Sequence, residues 1–380
     1  ASEEKITAAD INVATLEERY PIFDPTVRER FFITPQGELM FNEFKRTPAI
    51  FYFQEEAKPC TTMPKYYQLL LNNVIPIKEE QELWLHNLAY HLTFLQVPQT
   101  MTVVTGAGGT GKGTVLNDLH EMIYKEYHAT VSVADMTKQF RGLLKHKLSV
   151  FVDEGEERTS TFAPPKLTKT FKELVGNSKA TFELKNANSI HPDLHCAKYT
   201  LATNASVPFK FENGDRRTNV FQTKDTNITT LPWFKDLGTH EDLMKNLQLN
   251  LEPFLDYLKS IDVSAARSRT IVHNKARAEI EQASVNRVAV YVDAILSLDV
   301  EALYEIDHDF AEWFEQHFVT AGKATCSVRD MKDALGDLYN AVSKALKVRG
   351  VTTKKVNQVR SLVINPQGSS KPFEPDLSLD

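Results

Sequence analysis

One run of nine residues constrains this chain more than any other: Gly106-Ala107-Gly108-Gly109-Thr110-Gly111-Lys112-Gly113-Thr114. Before it stands a β-prone apolar stretch, Met101-Thr102-Val103-Val104-Thr105. After it, from Gly111 to about Glu126, the apolar spacing is helical. Strand, glycine-rich loop and helix in that order are the context of a P-loop. Its glycines let backbone N–H groups converge on phosphate oxygens, and the helix N-terminus adds its positive end. Lys112 then reaches the β- and γ-phosphates, which implies ATP and Mg2+ as cofactors. The residue after such a lysine is ordinarily Ser or Thr, whose hydroxyl takes the metal. Here it is Gly113, with Thr114 one place later, so either Thr114 meets Mg2+ or no hydroxyl does.

The chain around the loop alternates strands and helices. Thr130 to Ala134, Leu148 to Val152, Ala180 to Leu184, Lys198 to Thr203 and Thr218 to Gln222 read as strands, and Leu167 to Val175 as a helix. Asp135 or Thr137 could cap a further short helix. This alternation predicts an α/β core with parallel pairing. Upstream, Arg30 to Thr34 and Ala49 to Phe53 have β-like composition, and Met63 to about Leu95 is helical in spacing. Downstream, Glu241 to Leu258 and most of the chain beyond Ser264 read as helix.

Leu148-Ser149-Val150-Phe151-Val152-Asp153-Glu154 is an apolar strand that ends in two carboxylates, where a Walker B strand belongs. Asp153 is placed to hold Mg2+, and Glu154 to polarise the attacking water. Lys198-Tyr199-Thr200-Leu201-Ala202-Thr203-Asn204 is another strand with a polar end, and Gly214-Asp215-Arg216-Arg217 follows it. These four motifs, in this order and spacing over about Glu80 to Gln222, resemble the superfamily 3 helicases of viruses, phages and plasmids. The resemblance is to the C-terminal helicase part of phage or plasmid primase-helicase and primase-polymerase proteins. It implies an AAA+-type ATPase that assembles as a ring, usually of six subunits, and moves on single-stranded DNA. Asn204 matches that family's sensor asparagine, and Arg216 or Arg217 its arginine finger, which enters a neighbouring subunit's nucleotide site. Members of the family, like adenylate kinases, also carry Gly-Lys-Gly-Thr loops.

From Lys166 to Lys185 five lysines stand against two glutamates. In the similar helicases this stretch lines the channel, which suggests Lys172, Lys179 and Lys185 as contacts to the DNA backbone. His191 and His195-Cys196 have loosely metal-like spacing, but no second cluster completes a site.

The formal net charge is −6, which excludes a uniformly basic coat protein but not local cationic surfaces. Asn286 to Val319 holds eight acidic residues and one Arg, whereas Thr320 to Val363 holds nine Lys/Arg and three Asp. Val328 to Leu338, Ala341 to Val348 and Thr353 to Ser361 read as three short helices, a winged-helix or helix-turn-helix pattern or a plain bundle. Cys60, Cys196 and Cys326 are few and far apart, which argues for a reducing interior. No apolar run approaches a membrane span. A cytoplasmic protein is expected, in a bacterial host if of phage origin. The start at Ala1 suggests an excised segment, with a primase or polymerase part elsewhere in the full-length chain.

The expected organisation is a small partly β module (1–60), a helical collar-like region (61–98) and a P-loop ATPase core (99–262). A mainly helical C-terminal domain (263–364) and a flexible tail (365–380) follow. The expected partners are single-stranded and forked DNA and further copies of the chain. Two alternatives stay open: a nucleotide kinase with a Gly-Lys-Gly-Thr loop, and an ATP-switched origin-binding protein without unwinding activity.

Overall fold

The computed structural model describes residues 22–33, 39–137, 142–153, 165–182, 193–204, 215–319, 325–356 and 359–363. Glu154, Lys185, His191, Gly214, residues 1–21 and the tail 365–380 lie outside these residues.

A short antiparallel hairpin, β1 (Phe31–Ile33) and β2 (Leu39–Phe41), precedes α1 (Pro48–Phe51), α2 (Lys65–Val74) and α3 (Lys78–Phe94). Next come β3 (Met101–Thr105), α4 (Leu119–Tyr124), β4 (His128–Ser132), α5 (Val133–Thr137), β5 (Ser149–Asp153) and α6 (Pro165–Leu174). After a minor antiparallel pair, β6 (Lys179–Ala180) with β7 (Asp193–Leu194), the core closes with β8 (Lys198–Thr203) and β9 (Thr218–Gln222). Five of these strands make one parallel sheet, in the order β4-β5-β8-β3-β9. The expected α/β class with a parallel central sheet is what the chain forms.

The strand order places the site. β8 is inserted between the loop strand β3 and the acidic strand β5, so all three run out at the same edge. Alternation along each strand divides the core in two. Val104, Phe151, Ala202 and Phe221 face a cluster with Val115, Leu116 and Leu119 after the loop and with helices α2 and α3. Val103, Val150, Val152, Leu201 and Val220 face Leu167, Phe171 and Leu174 of α6. Each large side chain buried this way contributes about 1.5–3 kcal/mol.

Several local expectations need correction. Ala49 to Phe53 is not a strand: Thr47 accepts from the Ile50 N–H and Pro48 stands at the first helical position, so α1 forms, continued by a π-turn over Tyr52–Glu56. The cap of α5 stands at Ser132, whose hydroxyl accepts from the Asp135 N–H (3.1 Å); Asp135 Oδ2 accepts in return from the Ser132 N–H (3.1 Å), so Asp135 completes the cap from inside the helix, and Thr137 is the helix's last residue. Glu241 to Leu258 is two helices, α7 aside: α7 is Pro232–Leu237, α8 is His240–Leu249, and Asn250 separates α8 from α9 (Leu251–Lys259).

Beyond the sheet, α10 (Ala265–Ser268) leads to the long α11 (Lys275–Ser297), then α12 (Val300–Ile306) and α13 (His308–Phe314). The end of the chain runs β10 (Thr325–Ser327), α14 (Val328–Leu335), α15 (Tyr339–Val348), β11 (Thr352–Val356), β12 (Val359–Val363). The three strands pair antiparallel in the order β10-β12-β11. Thr353 to Ser361 is therefore not the expected third helix. Gly350, at φ +87°, follows the end of α15, and a run rich in Val and Thr then favours extended pairing. Met331, Leu335, Val342 and Leu346 pack here with Tyr291, Ile295, Phe310 and Phe314 as a core of their own.

The first core also encloses a set of ionisable groups. Lys198, at the start of β8, lies 3.5 Å from His120 Nε2 and over the Trp84 ring. His91 is buried between Tyr124 OH (2.7 Å) and the Cys196 carbonyl (2.8 Å). Burial lowers His91 to about 3 and His128 to about 4, brings Lys198 down to about 7, and on the other face of the sheet lowers His195, packed against Phe182 and Tyr199, to about 4. The sign follows directly. Between about pH 6.5 and 4 the unfolded histidines bind protons that the folded ones refuse, so stability falls as pH falls. For Lys198 the same asymmetry spans about pH 7 to 10.5, and stability rises with pH there. We expect the melting temperature at constant ionic strength to drop by more than ~10 °C from pH 7 to pH 4.5. A flat profile over that range would show that these histidines charge without cost.

Candidate nucleotide site

The loop between β3 and α4 is built as the glycines require. Gly106 sits at φ +140° and Gly109 at φ +75°, both outside the range of ordinary side chains. A Cβ at Gly106 would lie 2.0 Å from Thr223 Oγ1, and one at Gly109 2.5 Å from Asn227 Nδ2. The loop therefore rests against the segment that follows β9. That segment grips it in turn: the Ile228 N–H donates to the Gly109 carbonyl (2.9 Å) and the Ala107 N–H to Asp225 Oδ1 (3.3 Å). From α2, Asn73 Nδ2 donates to the carbonyls of Thr110 (2.8 Å) and Thr226 (3.0 Å), which ties the two segments together.

Lys112 is 8% exposed, folded into this cradle. Its ammonium donates to the Gly106 and Ala107 carbonyls (2.6 and 2.7 Å) and to Asn204 Oδ1 (2.9 Å). The last contact joins two motifs 92 residues apart in sequence. Register explains it: Thr203 pairs with Thr105, so Asn204 and Gly106 are the next residues at the same sheet edge. Asp153 ends β5 at that edge too, paired with Ala202 and exposed. The sheet thus brings Lys112, Asn204 and Asp153 to one edge, beside a helix N-terminus that begins at Lys112.

Thr114, Arg216 and Arg217 are placed elsewhere than at the Lys112 ammonium. Thr114 is buried, and its hydroxyl lies 3.2 Å from His240 Nε2 at the start of α8. Its neighbour Asp118 is held above the usual carboxylate range, first by burial. Coordination of a metal by Thr114 has to replace the His240 contact. Nothing lies within 4 Å of a Cβ built at Gly113, so packing does not force glycine there. Arg216 and Arg217 stand just before β9, at the opposite edge of the sheet. The Met101 N–H, at the start of β3, donates to the Arg217 carbonyl (2.7 Å). A five-residue strand at about 3.3 Å per residue puts roughly 16 Å between the two edges. Neither arginine belongs to the Lys112 cluster of its own chain.

Lys172 lies on α6, whose apolar residues pack on the sheet face away from α4, and Lys179 is exposed on β6. His195 is a core residue, 3.2 Å from Tyr199 OH. Among the described residues no group of three or more His, Cys, Asp or Glu is placed to hold a metal ion. The donors of the loop, one ammonium and successive N–H groups at a helix start, suit a polyphosphate, and the exposed Asp153 carboxylate suits a hydrated divalent ion. Sequence reasoning missed Asn73, Asp225, Asn227 and His240. Of these only Asn227 left a signal, an Asx turn in Asn227-Ile228-Thr229-Thr230 where Asn227 Oδ1 accepts from the Thr229 N–H (3.0 Å).

Fold and site together define an α/β protein with a parallel central sheet and a glycine-rich loop between its strand β3 and the following helix. A family of unknown function, DUF5906, matches residues 104–217, which span the loop, the acidic strand and Asn204 and end at the arginine pair. A DNA primase-polymerase of Nitratiruptor phage NrS-1 is 23% identical over 282 residues, a match that takes in 73% of this chain and 37% of that protein. The chain thus spans little more than a third of this relative, and the match relates it to a phage replication enzyme. Two apo structures of the NrS-1 C-terminal region share the fold. One has a TM-score of 0.61 at 21% identity and the other 0.59 at 20%, each covering 91% of this chain and 84% of that one. Among the described residues no helix is long and apolar enough to cross a membrane.

Proposed function

We propose that this chain is the ATP-driven motor of a DNA helicase of the superfamily 3 type, working as a ring on single-stranded DNA. One observation carries the reading. Lys112, Asn204 and Asp153 meet at one sheet edge, while Arg216 and Arg217 stand at the other, out of reach of their own site. An arginine that completes a neighbour's site has to be placed so. The similarity to a phage primase-polymerase supports a place in DNA replication.

ATP with Mg2+ supplies the bond that is broken; the residues here position it. Lys112 trades its two loop carbonyls for phosphate oxygens, a stronger charged pairing. Asn204, released from the ammonium, would be free to orient water at the γ-phosphate, and Asp153 would hold Mg2+. Glu154, the next residue, polarises that water. Lys172, Lys179 and Lys185 contact the DNA backbone in the channel.

The order β10-α14-α15-β11-β12 is that of a winged helix, with α15 as the recognition helix and the β11–β12 hairpin as the wing. Asn340, Lys344 and Lys347 are exposed on α15, and Lys354 on the hairpin. This unit binds the duplex arm of a fork. Replacing Lys344 and Lys347 with alanine should weaken forked-DNA binding for every sequence alike. The slope of log K against log salt should fall by about 1.8, as expected for two lost phosphate contacts. An unchanged slope in a filter-binding titration would remove α15 from the interface.

The whole reading is tested by measuring ATP hydrolysis and forked-duplex unwinding in the wild type and in Glu154→Gln. Hydrolysis should rise with single-stranded DNA, and the variant should lose turnover and unwinding together. Transfer of phosphate to a second nucleotide would instead make the protein a kinase. DNA binding without any strand separation in the wild type would make it an ATP-switched origin-binding protein.

A further inference from the structure

Arg277 is a charged side chain with 2% of its surface exposed, in the first turn of α11. Its Nη1 donates to the Thr218 carbonyl (2.6 Å), its Nη2 to the Asp215 carbonyl (2.6 Å) and its Nε to Glu281 Oε1 (2.9 Å). The two carbonyls stand on either side of Arg216 and Arg217. Neutralising the charge would need only the carboxylate. Two main-chain acceptors gripped by one planar fork fix a stretch of backbone instead. Other contacts hold the same stretch. Asp215 Oδ1 accepts from the Arg217 N–H (2.6 Å) and Oδ2 from the Thr218 hydroxyl (3.0 Å). Next to it, Asn219 and Asn274 link the free edge of β9 to the start of α11: Asn219 Oδ1 accepts from the Val272 N–H (2.8 Å), and Asn274 Nδ2 donates to the Val220 carbonyl (2.7 Å).

The grip has a firm base. The Asn274 side chain caps α11 by accepting from the Arg277 N–H (2.9 Å). Ala276 and Ile280 of that helix are buried in the sheet's own core, and Tyr291, Val292 and Ile295 further along are buried in the C-terminal core. Arg216, by contrast, is exposed and Arg217 half-buried. A clamped backbone with an exposed side chain is what an arginine acting across an interface needs, because misplacement by about 1 Å costs roughly 10²-fold in rate.

We infer that Arg277 is the positioning residue for the arginine supplied to the neighbouring subunit. It sets the backbone from Asp215 to Thr218 and never touches nucleotide itself. The inference rests on the trans reading of Arg216 and Arg217, and the test separates the two.

The experiment is subunit complementation in the full chain. Arg277→Lys keeps the buried charge and loses the fork. Alone it should hydrolyse ATP about 10- to 100-fold more slowly, with KM for ATP within about 2-fold and a melting temperature near that of the wild type. Lys112→Ala alone should be inactive but keeps a correctly held arginine. Mixed and reassembled, the two should hydrolyse several-fold faster than the sum of the parts, because Lys112→Ala subunits serve the intact sites of their neighbours. If Arg216→Ala/Arg217→Ala gains on mixing with Lys112→Ala and Arg277→Lys does not, the positioning role is wrong and the trans arginine stands. If neither gains, the trans arginine is wrong and the positioning role falls with it. Glu281→Ala, which removes the exposed acceptor of Nε, serves if Arg277→Lys does not fold. It should slow turnover about 3-fold and be rescued in the same mixture, and unchanged turnover would overturn the inference.

Discussion

Replacing Arg216 and Arg217 together with alanine is expected to lower ATP turnover by about 10³-fold or more, with nucleotide affinity little changed. The size follows from what such an arginine does. Charge that accumulates on the transferring phosphoryl group is spread over several oxygens, and a guanidinium delivered at that moment stabilises the transition state more than the ground state. The placement follows from the sheet. Both arginines precede β9, whereas Lys112 follows β3, so the strands separate them within one chain. Affinity, set by the loop, should therefore survive. A binding titration with a fluorescent ATP analogue beside steady-state turnover checks both halves. Loss of binding in step with turnover would mean that the pair acts inside its own chain. Single variants then show whether Arg216 or Arg217 is the finger.

Lys112→Ala should have the second largest effect, and a different one. The ammonium holds Gly106 O, Ala107 O and Asn204 Oδ1 in the present arrangement, and on the proposed function phosphate oxygens would replace these acceptors. Each charged hydrogen bond lost is worth about 1.5–3 kcal/mol, so affinity should fall by about 10- to 100-fold. Turnover should fall by a further 10²- to 10³-fold, the usual cost of a missing transition-state donor. Stability should change little, because the loop is also held by Asn73, Asp225 and the Ile228 N–H. Calorimetric binding and turnover measured on the same preparation decide this. Full affinity with lost turnover would mean that Lys112 does not reach the phosphates in the ground state.

What was legible in the sequence is what local chemistry writes there. A glycine-rich loop needs glycine where φ is positive, and a strand that ends at a site carries its polar residue at the end. Lys198 to Thr203 and Thr218 to Gln222 were bounded correctly for that reason. The order of strands was not legible. Nothing local says that β8 lies between β3 and β5, and only that insertion lets Asn204 meet Lys112. Ala49 to Phe53 misled because a Thr-Pro helix start outweighs four β-prone side chains, Ile50 to Phe53. Thr353 to Ser361 misled because lysines spaced through a Val- and Thr-rich run look amphipathic at either period. Nothing local marks Lys198 as buried, yet it is sealed beside His120 and Trp84. Arg277 was unreadable too: in sequence it is one more cation in a helix with a carboxylate four residues on, and the two carbonyls it grips lie 59 and 62 residues away.

The most direct measurement is the mass of the particle in solution, by native mass spectrometry or single-particle mass measurement, with and without ATP analogue and single-stranded DNA. A closed assembly of several copies, six being the expected number, should form when both are present. A strict monomer under every condition would leave Arg216 and Arg217 with no neighbour to serve and would contradict the proposed ring.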